Sequence, residues 1–376
     1  MTNSINLSVN PLCSYFGKCG GCTAQHIAYE QQVEQKKKRV ASLLGIEDIR
    51  VFTENDYFYR NRMDFIFHRQ GLGLRERHQK SNIVDIGRCV ISHERINELL
   101  QEVRSSFSSV DVFDLRKKTG TFRYAVIRAT SLGDSSISFV LNEDSSRLKR
   151  AIENIQLFAE KSTAQNVMVA YVLSNIDESA SVESFVVKGK EVLREKILGK
   201  EFVFPIQGFF QNNSAMAEKM QEYCRGLLQK YEPLKAHLLD LYGGVGTFGI
   251  INADLFKRVT IVENVPPAIE CAQKNAEDNG MKNVTSVCLD AMQLQKLSVI
   301  KPVYVIADPP RTGMHLKAIQ RLVELQPEVI LYISCNPEQL AKELLKFKGY
   351  VVRSAALFDL FPQTTHSELI VELVRG

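Results

Sequence analysis

The sequence predicts an α/β protein, with a doubly wound parallel sheet in its carboxy-terminal half and a mixed α+β region with a four-cysteine cluster before it. Three features carry this expectation. After Glu201 the continuous apolar runs LLDLYG, VTIVEN, SVCLDA, YVIADPP and ILYISCN alternate with helical patterns such as IECAQKNAEDNG and KAIQRLVEL. Apolar strands that lack a polar face belong in a sheet covered on both sides by helices. Between Val51 and Gly189 the runs MDFIFHR, GLGLRER, YAVIRAT, ISFVLN and VMVAYVL instead lie between turn residues, interrupted by a helical pattern from Ser145 to Glu160. Finally, a glycine-rich turn follows the first apolar run of the second half, where folds of this kind bind ligands at strand carboxyl ends. The boundary is placed between residues 1–200 and 201–376.

Length and composition permit such a two-part chain. The 376 residues, 45% of them hydrophobic, are enough to bury a full core in each part. Forty-seven Lys and Arg against 43 Asp and Glu leave a formal charge of +4, which permits an anionic partner without requiring one. The start MTNSINLSVNPLCSYF lacks a leader pattern, and no apolar window approaches about 18 residues, so a cytoplasmic protein that does not engage a membrane and acts as a monomer is expected. In that compartment eight scattered cysteines point to metal ligation or catalysis rather than disulfides.

The first chemical feature is the run CSYFGKCGGCTAQH, in which Cys13, Cys19 and Cys22 form C-x5-C-x2-C, with Cys89 of DIGRCVI as the fourth candidate. Four soft thiolates suit zinc or a [4Fe-4S] cluster equally on ligand chemistry, and the sequence by itself tilts to zinc. A helix is expected over 26–45, with Ile27, Val33, Val40, Leu43 and Leu44 at near-helical spacing, able to pack on the carboxy-terminal domain. Its basic run Lys36, Lys37, Lys38 and Arg39 is read as a solvated face.

In the second half, Gly244, Gly246 and Gly249 satisfy GxGxxG, and the carboxylates Glu263 and Asp290 end the next two strands, where a ribose diol can donate to them. This pattern does not separate a nicotinamide cofactor from S-adenosylmethionine. Asp308-Pro-Pro-Arg311 is a stiffened turn at another strand end, and Arg311, where an aromatic residue would stack on a base, argues against amine methylation. Cys335 follows the strand VILYIS and precedes Asn-Pro-Glu-Gln, a helix start whose dipole favours a nucleophilic thiolate. Such a thiol can add to C6 of a uracil and make its C5 a carbon nucleophile, after which a base must remove the C5 proton. Glu368, in the apolar final run HSELIVELV, is the candidate base, with His366 as an orienting group.

Taken together, QGFFQNN at 207–213, DLYGGVGTFG, DPPRTGMH, ISCNPEQL, FPQTTHSEL and the cysteine pattern resemble, in order and over nearly the whole chain, the S-adenosylmethionine-dependent RNA uracil-C5 methyltransferases. The resemblance implies a Rossmann-like methyltransferase domain and 5-methyluridine formation in transfer RNA or 23S ribosomal RNA. It implies that Gln211, Tyr242, Glu263 and Asp308 bind the cofactor, that Cys335 is the nucleophile and that Glu368 is the base. It also implies a [4Fe-4S] cluster on Cys13, Cys19, Cys22 and Cys89, because family members with this pattern carry one. Gly243 departs from the small residue relatives often carry there. Many relatives begin with a β-barrel RNA-binding module, whereas this chain begins at the cysteine cluster. RNA contacts are therefore expected from the middle region, with Phe122, Arg123, Tyr124 and Arg128 as candidates.

Three rival readings are weighed against this. A cytosine-C5 RNA methyltransferase shares the thiol chemistry but usually places its cysteine in another context. A nicotinamide oxidoreductase leaves Cys335 and Glu368 without a task, as does a catalytically silent RNA-binding or ribosome-assembly factor.

Overall fold

The computed structural model describes residues 8–79 and 81–376; residues 1–7 lie outside them. The chain forms two compact units. The first takes the chain up to Tyr29, Asn55–Glu195 and Pro205–Gly208, and the second takes Glu30–Glu54, Lys196–Phe204 and Phe209–Gly376. The helix α1 (Tyr29–Leu44) and strand β1 (Ile49–Phe52) thus contribute to the second unit from within the amino-terminal region. Among the described residues no helix is long and apolar enough to cross a membrane.

The first unit is built on β2 (Arg62–His68), β3 (Gly71–Arg75), β4 (Ile83–Asp85), α2 (Glu94–Ser106), β5 (Phe122–Ala129), β6 (Ser135–Asn142), α3 (Leu148–Lys161), β7 (Asn166–Val172) and β8 (Ser184–Lys188). The strands form one sheet in the order β4-β3-β2-β5-β6-β7-β8. Every pairing is antiparallel except β6 with β7, which α3 connects. Met63, Phe65 and Phe67 alternate inward from β2 and meet Phe107, Phe122, Phe139 and Phe158 in an aromatic core. The strand runs and the α3 pattern expected from the sequence are all present. The helix α2 was not expected, although Ile96, Leu99, Leu100 and Val103 mark its buried stripe.

Next, β9 (Val192–Ile197) and β10 (Lys200–Pro205) pair as a two-stranded ribbon. The second unit continues with α4 (Ser214–Gln229), β11 (His237–Leu241), α5 (Thr247–Ile251), β12 (Arg258–Glu263), α6 (Pro266–Asp278), β13 (Val284–Cys288), β14 (Val303–Ala307), α7 (Leu316–Leu325), β15 (Val329–Ser334), α8 (Pro337–Leu344), β16 (Tyr350–Phe358) and β17 (Glu368–Arg375). Its sheet has the order β1-β16-β17-β15-β14-β11-β12-β13. The pairings from β13 across to β15 are parallel, and β17 lies antiparallel between β15 and β16. Connections run outward in opposite directions from β11 and β14, so the crevice at their carboxyl ends is the switch point of the sheet. β11, β14 and β15 are buried at every position, as their unbroken apolar runs require.

Candidate active site

The glycine turn lies at this switch point. Gly246 adopts a φ of 86°, and a Cβ there would stand 2.7 Å from Ile261, so only glycine lets α5 start this close to β12. Gly249 N–H donates to the buried Asp240 carboxylate at 2.8 Å, tying α5 to β11. Burial pushes Asp240 up to about 7. The Glu263 carboxylate accepts from the N–H groups of Gly244 at 3.1 Å, Asn264 at 2.7 Å and Val265 at 3.0 Å, so it braces the turn as well as facing it. Asp290 accepts from Met292 N–H at 2.7 Å at the start of a short 3-10 turn. The Tyr242 phenol is pushed up to about 12 by burial and then by the charges of Asp290, Glu343 and Glu263, which places those carboxylates around it.

Gln211, Tyr242, Gly244 and Asp308 line one cleft with Phe209, Gln221 and Thr247; Gly246, Glu263 and Asp290 do not line it, although Glu263 bonds to Gly244 and the charges of Glu263 and Asp290 act on Tyr242. Phe209, Gln221 and Thr247 were missed in the sequence. The Phe209 ring is 68% exposed, and Gln221 is buried with its Oε1 lacking a hydrogen-bond partner. An orphaned acceptor in the wall of a cleft and a backbone turn without side chains fit a polar cofactor such as S-adenosylmethionine.

The reaction centre adjoins this cleft. Ser334 of β15 pairs with Leu369 of β17, so one further step of the antiparallel register sets Cys335 opposite Glu368. Asn336 caps α8, accepting from Gln339 N–H at 3.3 Å, and its amide donates to the Arg311 carbonyl at 3.0 Å, which holds the Asp308–Arg311 turn beside the cysteine. The loop after Arg311 is anchored by the buried Glu343, which accepts from Met314 N–H at 3.1 Å and from the Tyr332 hydroxyl.

The electrostatics correct one expectation. Despite the helix start beyond it, the Cys335 thiol is pushed up to about 11, by burial first and then by the charges of Glu368 and Asp308. Arg311 is the cation opposing them. Burial likewise raises Asp308 to about 7, and burial plus the Asp308 charge raises Glu368 well above the usual carboxylate range. The cationic role of Arg311 had no signal in the sequence, since β14 and β15 become neighbours only in the sheet.

In the first unit Cys13, Cys19, Cys22 and Cys89 line a single hollow of about 370 Å³, and none is in a disulfide. Asn97 of α2 pins Cys89 through both backbone groups, at 2.8 and 3.1 Å. Burial raises Cys13, lifts Cys19 to about 11 and lifts Cys22 to about 12; the Cys89 charge adds to all three, that of Cys13 to Cys19 and Cys22, and that of Cys19 to Cys22, so all six pairs are in electrostatic reach. Among the described residues no group of three or more His, Cys, Asp and Glu is placed to hold a metal ion.

The RNA-contact expectation for the middle region is also corrected. Phe122 is in the aromatic core, and the Tyr124 hydroxyl donates to Asp177 at 2.5 Å. Arg123 lies over the Phe113 ring and donates to the Leu173 carbonyl at 2.8 Å, while Arg128 is buried and donates to the Gly208 carbonyl. Alternating residues of β5 face a core on each side of the sheet, so none of the four is presented to solvent.

A sequence model of the family described as tRNA (Uracil-5-)-methyltransferase matches residues 28–375. An uncharacterized RNA methyltransferase of Caldanaerobacter subterraneus subsp. tengcongensis is 33% identical over 379 residues, covering 95% of this chain and 83% of its own. The tRNA (uracil(54)-C(5))-methyltransferase of Pyrococcus abyssi is 32% identical over 383 residues, covering 100% of this chain and 88% of its own. A crystal structure of a Pyrococcus abyssi tRNA (uracil-54, C5)-methyltransferase with S-adenosyl-L-homocysteine superposes with a TM-score of 0.78 at 27% identity, over 95% of this chain and 86% of that one.

Proposed function

This chain belongs to the tRNA (uracil-5-)-methyltransferase family and is an S-adenosylmethionine-dependent RNA uracil-C5 methyltransferase, and from that premise we propose that it works through a covalent Cys335 adduct resolved by Glu368. The observation that carries this reading is the facing placement of Cys335 and Glu368 beside Asp308 at the cofactor cleft.

S-adenosylmethionine supplies an electrophilic sulfonium methyl. Gln211, Tyr242, Gly244 and Asp308, with Glu263 toward the ribose, would hold it in the cleft, Gly246 and Asp290 shaping the walls. Cys335, as thiolate, forms a bond from Sγ to C6 of the uracil, and the C5–C6 π electrons move toward O4. C5 then takes the methyl group, and the electron pair of the broken S–CH3 bond stays on the donor sulfur, which leaves as a neutral thioether. Glu368 removes the C5 proton, the electrons of that bond restore C5=C6, and Cys335 leaves. A carboxylate raised well above its usual range is a stronger base once ionised, which suits it to a carbon-bound proton.

Cys13, Cys19, Cys22 and Cys89 would hold a [4Fe-4S] cluster that organises the first unit. Support comes from four mutually coupled thiols around one hollow. In the division of labour we favour, the region up to about residue 200 carries the cluster and RNA binding and residues 201–376 carry catalysis. The enzyme acts as a cytoplasmic monomer.

The relatives named for a substrate act on uracil 54 of transfer RNA, which makes transfer RNA the first target to test, with 23S ribosomal RNA as the second. Mapping 5-methyluridine in both RNAs from a strain deleted for this gene tests the choice. Loss of one modified uridine identifies the target, and an unchanged map in both overturns it.

A further inference from the structure

We propose that α1 is a brace that fixes Glu368 against Cys335, with Lys36 as its principal positioning residue; this rests on the assignment of Cys335 as nucleophile and Glu368 as base. One stripe of the helix carries the contacts: Gln32, Lys36 and Arg39 stand at i, i+4 and i+7. Lys36 is buried, and its Nζ donates to Asp359 Oδ1 at 2.6 Å and to the Phe361 carbonyl at 3.1 Å. Asp359 directly follows Phe358, which pairs with Glu368 in the β16–β17 register. Gln32 donates to Gln363 Oε1 at 2.9 Å and accepts from Gln363 N–H at 3.1 Å, holding a residue whose φ of 66° is unfavourable for anything but glycine. Arg39 donates to the Thr365 carbonyl at 3.2 Å and pairs with Glu338 in the first turn of α8, the helix that follows Cys335.

The stripe therefore grips the whole turn from Asp359 to Thr365 that delivers Glu368, and it also touches the helix beside the nucleophile. Burying a lysine and an aspartate, with Asp359 Oδ2 left without a hydrogen-bond partner, is a poor way to gain stability. Two directional bonds from one ammonium do fix where a turn sits.

The test compares Lys36→Met with the wild type on a transcript of the target RNA. The brace predicts a fall in kcat of roughly 30-fold, with KM for RNA and Kd for S-adenosylmethionine within about threefold. It also predicts a methylated RNA–protein adduct that accumulates during turnover, because a displaced Glu368 delays elimination. Turnover within about twofold of wild type overturns the brace, as does a parallel loss of turnover and cofactor affinity without adduct. If Lys36→Met does not fold, Arg39→Gln, altered at a half-exposed side chain, carries the same test: adduct with slowed turnover supports the brace, and normal turnover overturns it. Cys335→Ala is run in parallel. Activity in that variant removes the nucleophile assignment and the brace with it, whereas an inactive Cys335→Ala beside a normal Lys36→Met removes the brace alone.

Discussion

The carboxyl of Asp308, at the end of β14, stands close enough to that of Glu368, at the start of β17, for its charge to hold the Glu368 proton on. Glu368 is buried and Asp308 half-buried, and the Cys335 thiol beside them is raised by the same two charges. The proposed mechanism needs Glu368 ionised to act as base and Cys335 ionised to add, and both titrations lie above their ordinary ranges. The single-turnover rate is therefore expected to climb with pH from neutrality upward. Asp308→Asn removes the repelling charge, so Glu368 ionises at lower pH and the rise shifts downward, whatever the loss in absolute rate. A rate that falls between pH 7 and 9, or an Asp308→Asn profile displaced upward, would contradict this arrangement.

What the sequence disclosed depended on whether the signal was local. The strand ends at Glu263, Asp308 and Cys335 were legible because parallel strands announce themselves as unbroken apolar runs, and chemistry in such a sheet collects past their ends. The cap at Asn336 and Pro337 was likewise local. The raised Cys335 thiol was not, because the carboxylates that oppose the helix dipole arrive from β14 and β17. Lys36 was misread for a related reason. α1 buries Gln32, Lys36 and Val40, and a polar residue matched by a partner 323 positions away leaves no hydrophobic periodicity to find. Arg123 and Arg128 looked available for RNA because charge in a strand usually faces water, yet backbone carbonyls consume both.

Glu263 and Cys335 are expected to separate cofactor binding from chemistry. Glu263→Ala removes the proposed ribose acceptor and three backbone bonds that shape the turn, so affinity for S-adenosylmethionine is expected to drop by roughly 10- to 100-fold, about 1.4–2.7 kcal/mol. Cys335→Ala leaves that turn intact and is expected to bind within about threefold of wild type. Calorimetric titration of both variants checks the pair, and equal losses would place the pocket elsewhere.

Asp240 gives a stability test independent of activity. Its folded pKa of about 7 exceeds the roughly 3.9 of an unfolded aspartate, so its contribution to stability is full below about pH 4 and is lost as pH rises through 7. The loss is at most on the order of 4 kcal/mol. Asp240→Asn has no such proton to lose. In chemical denaturation its stability relative to wild type is expected to increase from pH 5 to pH 8, and a difference constant with pH would mean that Asp240 is not titrating as its burial implies.

Protein purified without oxygen is expected to be brown and to contain about four irons per chain. Cys89→Ser, which alters the ligand delivered from the α2 side of the hollow, is expected to lose iron and colour together. One zinc per chain without iron would replace the cluster assignment with a mononuclear site.

The covalent mechanism makes its sharpest claim about two mutants that fail differently. Cys335→Ala has no thiol to add at C6, so it is expected to bind RNA reversibly and transfer no methyl group. Glu368→Gln keeps the shape of the side chain but loses the base. Addition and methyl transfer can then proceed while elimination stalls, because the C5 proton has no acceptor. This mutant also removes one of the two charges that raise the Cys335 thiol, so nothing in it hinders the first step electrostatically. It is expected to accumulate an RNA–protein adduct that survives denaturing electrophoresis and carries label from the methyl donor. Combining Glu368→Gln with Cys335→Ala is expected to abolish that band, since the bond that survives denaturation is the one from Sγ to C6. Normal turnover by Glu368→Gln would move the base to another residue, and an adduct that persists without Cys335 would move the nucleophile.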